Sequence, residues 1–282
     1  MDSVHRMIIS MNSNQKIQQA DIPSAPFFGG RRIALPLSIL FAHINRPALF
    51  RIGWGAGKAS GEKWMRLQAD FNDRLERMQH ALERENWLAP VATYGYWPCA
   101  AALDAIQIFS AADMPDTRIL EMPLPRQPFP PFRCLSDFFL PMEEAQRDLA
   151  AFQFVSMGAR AVDHIQQLQA RGDLLEAFYA HGLATQLTEA AAGYVESLIH
   201  ADLKLEHHRG RRFSWGYEPL PDLAQQVGIL RMLDPEDSLH IRFTSAFQII
   251  PEFSTAALFV HHPQAEYFYL TQKDQHAQPT LS

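Results

Sequence analysis

The sequence predicts an α+β fold, a twisted antiparallel sheet flanked by long helices, and three observations carry that reading. Strand-like segments follow one another between residues 91 and 139 and again after 241, whereas helical periodicity occupies blocks of its own, so the sheet is expected to form by local meanders rather than alternating βαβ units. Two stretches, 60–86 and 174–205, are long and amphipathic enough to lie against such a sheet. No repeat or clear linker breaks the 282 residues, and 47% hydrophobic with 20% charged residues suits one large domain, or two intimately packed ones, with a substantial core.

Residues 1–26 are polar and irregular, lack the hydrophobic stretch of a signal peptide, and read as a flexible arm before a domain at 27–272; a polar tail follows at 273–282. In 60–86, Trp64, Leu67, Phe71, Leu75, Met78 and Leu82 recur every three or four positions and define one helical face. Ser60 is placed to cap that helix, and Glu62 suits the positive end of its dipole. Strands are expected at 91–97, 105–110, 118–123 and 133–139, separated by turns such as PRQPFPP, with the alternation over 104–109 giving one buried face. A further strand at 152–157 ends at Gly158, and helices follow at 159–170 and 174–205, broken at Gly172-Asp173. The second helix carries Leu175, Phe178, Leu183, Leu187, Tyr194 and Leu198 on a broad apolar side. A short helix at 223–233 then leads to strands at 241–250, 256–261 and 267–270.

Several function classes are disfavoured by composition. A net charge of -6 provides no global positive field, so nucleic acid and anionic membrane are poor partners. The apolar run at 33–41 is too short, and too broken by Pro36, to span a bilayer. Two cysteines, Cys99 and Cys134, make neither a disulfide framework nor a zinc site and favour a cytoplasmic protein. The pairs His207-His208 and His261-His262 hint at a metal-dependent hydrolase, but neighbours on a strand face opposite ways and no HExxH motif accompanies them, so no metal is expected.

The least periodic stretch is 209–222, RGRRFSWGYEPLPD, which mixes cations, aromatics, glycines and prolines in the manner of a stiff loop whose backbone approaches a ligand. An arginine beside aromatics suits a zwitterion: the guanidinium forks onto a carboxylate while rings stack on a base or face a cation. On composition alone, solvated arginines and core-plugging aromatics stand ahead of that reading.

GRRFSWGYEPLPDLAQQ resembles the signature loop of the activation domain of cobalamin-dependent methionine synthase, where an arginine precedes Pro-Gly-Tyr-Pro-Ala-Cys-Pro-Asp. SAFQIIPEFSTAALFVHHPQAEYF downstream, and ALFRIGWG, YGYWPCAAALDAIQIF and FRCLSDFFLP upstream, are similar to segments of the same family in the same order, from about residue 27 to 270. The resemblance implies the activation-domain fold and S-adenosylmethionine (AdoMet) as ligand, held by Asp104, Arg212, Ser214, Tyr217, Tyr267 and Phe268, with no catalytic acid, base or nucleophile. Asp104 matches the family's ligand-receiving aspartate, Arg212 the arginine on the ligand carboxylate, Ser214 a position with backbone groups facing the ligand, and Tyr267 and Phe268 paired aromatics lining the site. It further implies cobalamin carried by a partner, a cobalamin-dependent methionine synthase core, and a reductant such as flavodoxin. The chain would reactivate oxidised cobalamin there by reductive methylation, in methionine biosynthesis. With only a short arm ahead of the domain, the core is expected to be a separate protein. The chain departs from the family loop at Trp215 and Glu218, both in place of proline, and has lost the glycine before Asp104. These departures keep open an alternative, a non-catalytic module that docks on or regulates a corrinoid protein without binding AdoMet.

Overall fold

In the computed structural model, residues 17, 20–110, 117–206 and 208–272 are described. Nine strands and five helices of at least two turns occur among them: β1 (Gly29–Ala34), α1 (Leu37–His43), α2 (Gly61–Glu85), β2 (Val91–Ala101), β3 (Ala105–Phe109), β4 (Arg118–Pro123), β5 (Asp148–Ser156), α3 (Arg160–Ala170), α4 (Leu174–Asp202), β6 (Arg211–Ser214), α5 (Gln225–Leu233), β7 (Arg242–Phe243), β8 (Ile249–Ile250) and β9 (Ser254–Val260). A seven-stranded antiparallel sheet in the order β4-β3-β2-β5-β9-β6 organises them. The long β2 is shared along one edge, its first half pairing with β1 and its last residues with β3, while β5 runs along the other edge.

β5, DLAAFQFVS, is buried throughout because both its faces are covered. Leu149, Ala151 and Val155 join the core under the helices, whereas Ala150, Phe152 and Phe154 join the core on the opposite face with Phe213, Trp215, Ile229 and Leu233. α1, α2, α3 and α4 therefore form one layer, and α5 with irregular segments closes the other side. Close approach is written into one glycine pair. Gly30 lies opposite Gly95, and a Cβ at Gly30 would stand 2.1 Å from the Leu233 carbonyl oxygen at the end of α5.

The α+β class and the two long helices stand as expected, and several details differ for identifiable reasons. Residues 133–139 form a 3-10 turn, Leu135–Phe138, rather than a strand, because the Asp137 carboxylate accepts the Cys134 amide at 2.8 Å and closes a capping box. The 241–250 strand is a hairpin of two short strands, and 267–270 is held by side-chain bonds instead of a ladder. Ser60 has an extended N-cap backbone but makes no side-chain cap bond. Leu175 and Phe178 are exposed, 59% and 47%, because the buried side of the first turns of α4 is the one carrying Ala177 and Ala180. Of the expected arm, the described residues Ile17, Ile22 and Ala25 pack against the two cores, so packing begins before residue 27; the rest of 1–16, and the tail from 273, lie outside the described residues.

The far end of α4 is anchored by a buried polar knot. Tyr94 and Tyr96, both on the helix face of β2, each donate a hydroxyl to Asp202 Oδ2 at 3.0 Å. Burial, then the Asp202 hydrogen bond, push the Tyr94 pKa up to about 12.

Candidate functional site

β6 pairs with β9 so that Arg212 lies opposite Phe259 and Ser214 opposite Ala257. Strand alternation therefore points Arg212 and Ser214 toward the helices and buries Phe213 and Trp215, 1% and 5% exposed, in the opposite core. The stretch expected to be irregular loop thus contains a four-residue strand, and its pleat sorts the site residues from the core residues.

Above Arg212 runs α4, where Glu189 and Glu196 lie seven residues, two turns, apart on one face. The Arg212 Nη2 lies 3.5 Å from Glu189 and Nε lies 3.3 Å from Glu196. Nη1 is buried and has no hydrogen-bond partner, which is costly for a charged group unless something else meets it. Neither glutamate was singled out from sequence. The available signal was two acids at i and i+7 in the middle of a helix whose other acids, Glu176 and Asp202, stand at its ends.

A partly open cleft of about 970 Å³ starts beside Glu189; Arg212 lies behind that glutamate and is not itself among the lining residues. Glu189, Ser214, Trp215 and Tyr217 line one side, and His181 with Glu252, 3.1 Å apart, stand on the other near the β7–β8 hairpin. Such a volume is in the range of small-molecule sites. Tyr217 is 73% exposed at the mouth, carried there by a turn in which Gly216, φ +86°, bonds its amide to the Leu220 carbonyl at 2.9 Å.

The other expected site residues separate into three groups. Tyr267 does not line the cleft; its hydroxyl donates to the Arg212 carbonyl at 2.5 Å and its ring meets Phe213 edge-on, so it props β6 from outside. Desolvation of that hydroxyl raises its pKa, although the ring is exposed. Phe268, 6% exposed, is a core residue. Asp104 sits beyond the C-terminal end of β2, next to the start of β5, whereas Ser214 and the cleft lie toward the start of β9 and the end of β5. Four strand spacings, roughly 19 Å along the sheet, separate β3 from β6. Asp104 also has a partner: its Oδ1 accepts Arg126 Nε at 2.7 Å, and Arg126 forks onto Asp137 at 2.7 and 2.8 Å. The structure brings Arg212, Ser214 and Tyr217 together and leaves Asp104 and Phe268 apart.

The histidine pairs do not converge. His261 is buried against Asp148 at 2.6 Å, the His262 ring packs on Phe138, His208 is exposed, and His207 lies outside the described residues. Among the described residues no group of three His, Cys, Asp or Glu side chains is placed to hold a metal ion, and no helix is long and apolar enough to cross a membrane.

Residues 57–278 match the family model described as vitamin B12-dependent methionine synthase, activation domain. The methionine synthases of Mycobacterium leprae and Mycobacterium tuberculosis are 28% and 29% identical to this chain, each over 88% of it. The chain spans 23% of the length of these relatives. A crystal structure of the MetH reactivation domain bound to AdoHcy superposes with a TM-score of 0.80 at 22% identity, over 92% of this chain and 87% of that one. By the extent of the family match, the chain belongs to the vitamin B12-dependent methionine synthase activation domains.

Proposed function

We propose that this chain binds AdoMet in the cleft beside Arg212 and supports reductive methylation of cobalamin held by a methionine synthase core, with a reductant such as flavodoxin, in the cytoplasm. The buried, unpartnered Nη1 of Arg212, next to a carboxylate that lines the cleft, carries this reading. An amino-acid end group fits both halves of that pair: its carboxylate takes Nη1 and its ammonium takes Glu189. Ser214 and Tyr217 line the same wall, and Tyr267 holds the strand from behind. AdoHcy, to which the related domain is bound in its crystal structure, carries the same kind of end group.

When bound, AdoMet supplies an electrophilic methyl group on a sulfonium, so the chemistry belongs to the ligand and the cobalamin. The protein's work is binding and orientation. Asp104 has no part in this reading, since its carboxylate, in the turn beyond the end of β2, is engaged by Arg126.

Calorimetric titration of the purified chain with AdoMet tests the assignment. Saturable binding is expected, weakened about tenfold or more by Arg212→Ala, as befits loss of a charged hydrogen bond. No heat at millimolar AdoMet, or equal binding by the variant, sinks it. The second reading, a docking or regulatory module without AdoMet, is favoured by one observation: two glutamates already balance the Arg212 charge. It requires the corrinoid core to bind the chain in the absence of AdoMet affinity.

A further inference from the structure

The two glutamates on Arg212 are not equivalent. Glu189 lines the cleft and its side chain is 55% exposed, so a ligand cation can reach it. Glu196 lies two turns further along α4, is 27% exposed and is outside the cleft lining; it touches the guanidinium only at Nε. The Glu196 carboxylate, paired by charge with Nε at 3.3 Å without a hydrogen bond, limits how the guanidinium can turn, and with Nη2 facing Glu189 the remaining nitrogen, Nη1, is left as the donor without a partner.

We propose that Glu196 is the positioning residue of this site, orienting Arg212 so that Nη1 is presented to the ligand carboxylate. The inference rests on the AdoMet reading above. Its physical basis is preorganisation: an arginine already held in its binding rotamer loses less freedom when the ligand arrives. The charge of Glu196 acts in the opposite sense, since a second carboxylate weakens the pull of the guanidinium on a ligand anion. Position and charge can therefore be separated. Glu196→Ala removes both, whereas Glu196→Gln keeps an oxygen beside Nε and removes only the charge.

The full-length chain and both variants are titrated with AdoMet and with 5′-methylthioadenosine, which has the adenosine and sulfur but no amino-acid end. Thermal midpoints are recorded alongside. Glu196→Ala is expected to weaken AdoMet binding about tenfold, the loss of one charge-assisted contact. It should leave 5′-methylthioadenosine binding unmoved, because that ligand has no amino-acid end to meet Arg212, while the thermal midpoint falls by no more than the loss of one partly buried ion pair. Glu196→Gln should bind AdoMet at least as tightly as the wild type. Unchanged AdoMet affinity in Glu196→Ala, equal weakening of both ligands, or a Gln variant as weak as the Ala variant overturns the positioning role. If Arg212→Ala still weakens AdoMet in those cases, only the inference about Glu196 fails. A wild type that does not bind AdoMet overturns both readings.

Discussion

Asp202 closes α4, and two tyrosine hydroxyls on β2 converge on one of its oxygens, so Asp202→Ala is the sharpest test of what holds the helix carrying Glu189 and Glu196 over the sheet. Tyr96 is 0% exposed, and truncation leaves its hydroxyl buried without this partner, at a cost of about 1–3 kcal/mol. Tyr94, 7% exposed, sits nearer to water and loses about 0.5–1.5 kcal/mol, the net worth of an ordinary hydrogen bond. Removing a negative charge from the last turn of a helix returns about 0.3–1 kcal/mol. The net expectation is a loss of about 2–3 kcal/mol, or about 3–5 °C in Tm for a chain of this size. Urea unfolding followed by circular dichroism measures it. The triple variant Asp202→Ala, Tyr94→Phe, Tyr96→Phe should be more stable than Asp202→Ala alone, because no polar group is then stranded. A single variant within about 0.5 kcal/mol of the wild type, the range of neutral surface changes, refutes the reasoning.

Two further substitutions follow from where the chain departs from its expected site. Asp104→Asn should leave AdoMet affinity unchanged in the calorimetric titration, since Asp104 faces Arg126 about four strands from the cleft; a tenfold loss would return Asp104 to the site. Leu103, 74% exposed, holds a left-handed backbone, φ 54°, at the β2–β3 turn. Leu103→Gly relieves that strain at some cost in unfolded-chain entropy and should stabilise the protein by about 0.5–1 kcal/mol; a drop in the urea midpoint would contradict it.

Local rules made the elements legible, and tertiary partners decided what local rules misplaced. The α2 periodicity from Trp64 to Leu82 stands because a single helix face needs no distant information. Leu175 and Phe178 share the same kind of periodicity on α4 yet are exposed, since it is Ala177 and Ala180 of the same turns that meet the core, and only the packed partners decide which side that is. Residues 133–139 look strand-like until Asp137 folds back onto the Cys134 amide and reaches across to Arg126. Ser214 and Tyr217, singled out from the loop and the resemblance, line the cleft with Trp215, and Arg212 stands next to it through its ion pair with Glu189. Glu189 and Glu196 were not singled out, because nothing local says which acids on a helix stand over an arginine some 20 residues downstream. Asp104 was placed in the site by motif position, whereas the sheet order separates β3 from β6.

The loop departures bear on whether the site tolerates them, and the geometry answers residue by residue. Trp215 stands where the resemblance leads one to expect proline, yet its indole turns to the core face, donates Nε1 to Gln225 Oε1 at 3.1 Å and stacks on Phe152. Glu218, also in place of an expected proline, accepts the Leu270 amide at 2.6 Å and so ties the turn to the C-terminal segment that carries Tyr267. Tyr267 in turn holds the Arg212 carbonyl. A stiff proline-rich loop is ordered by its own backbone, with little conformational freedom to lose. Here the same ordering comes from side-chain bonds at either end of the turn. Both substitutions change how the loop is held while leaving Arg212, Ser214 and Tyr217 on the side where the cleft opens.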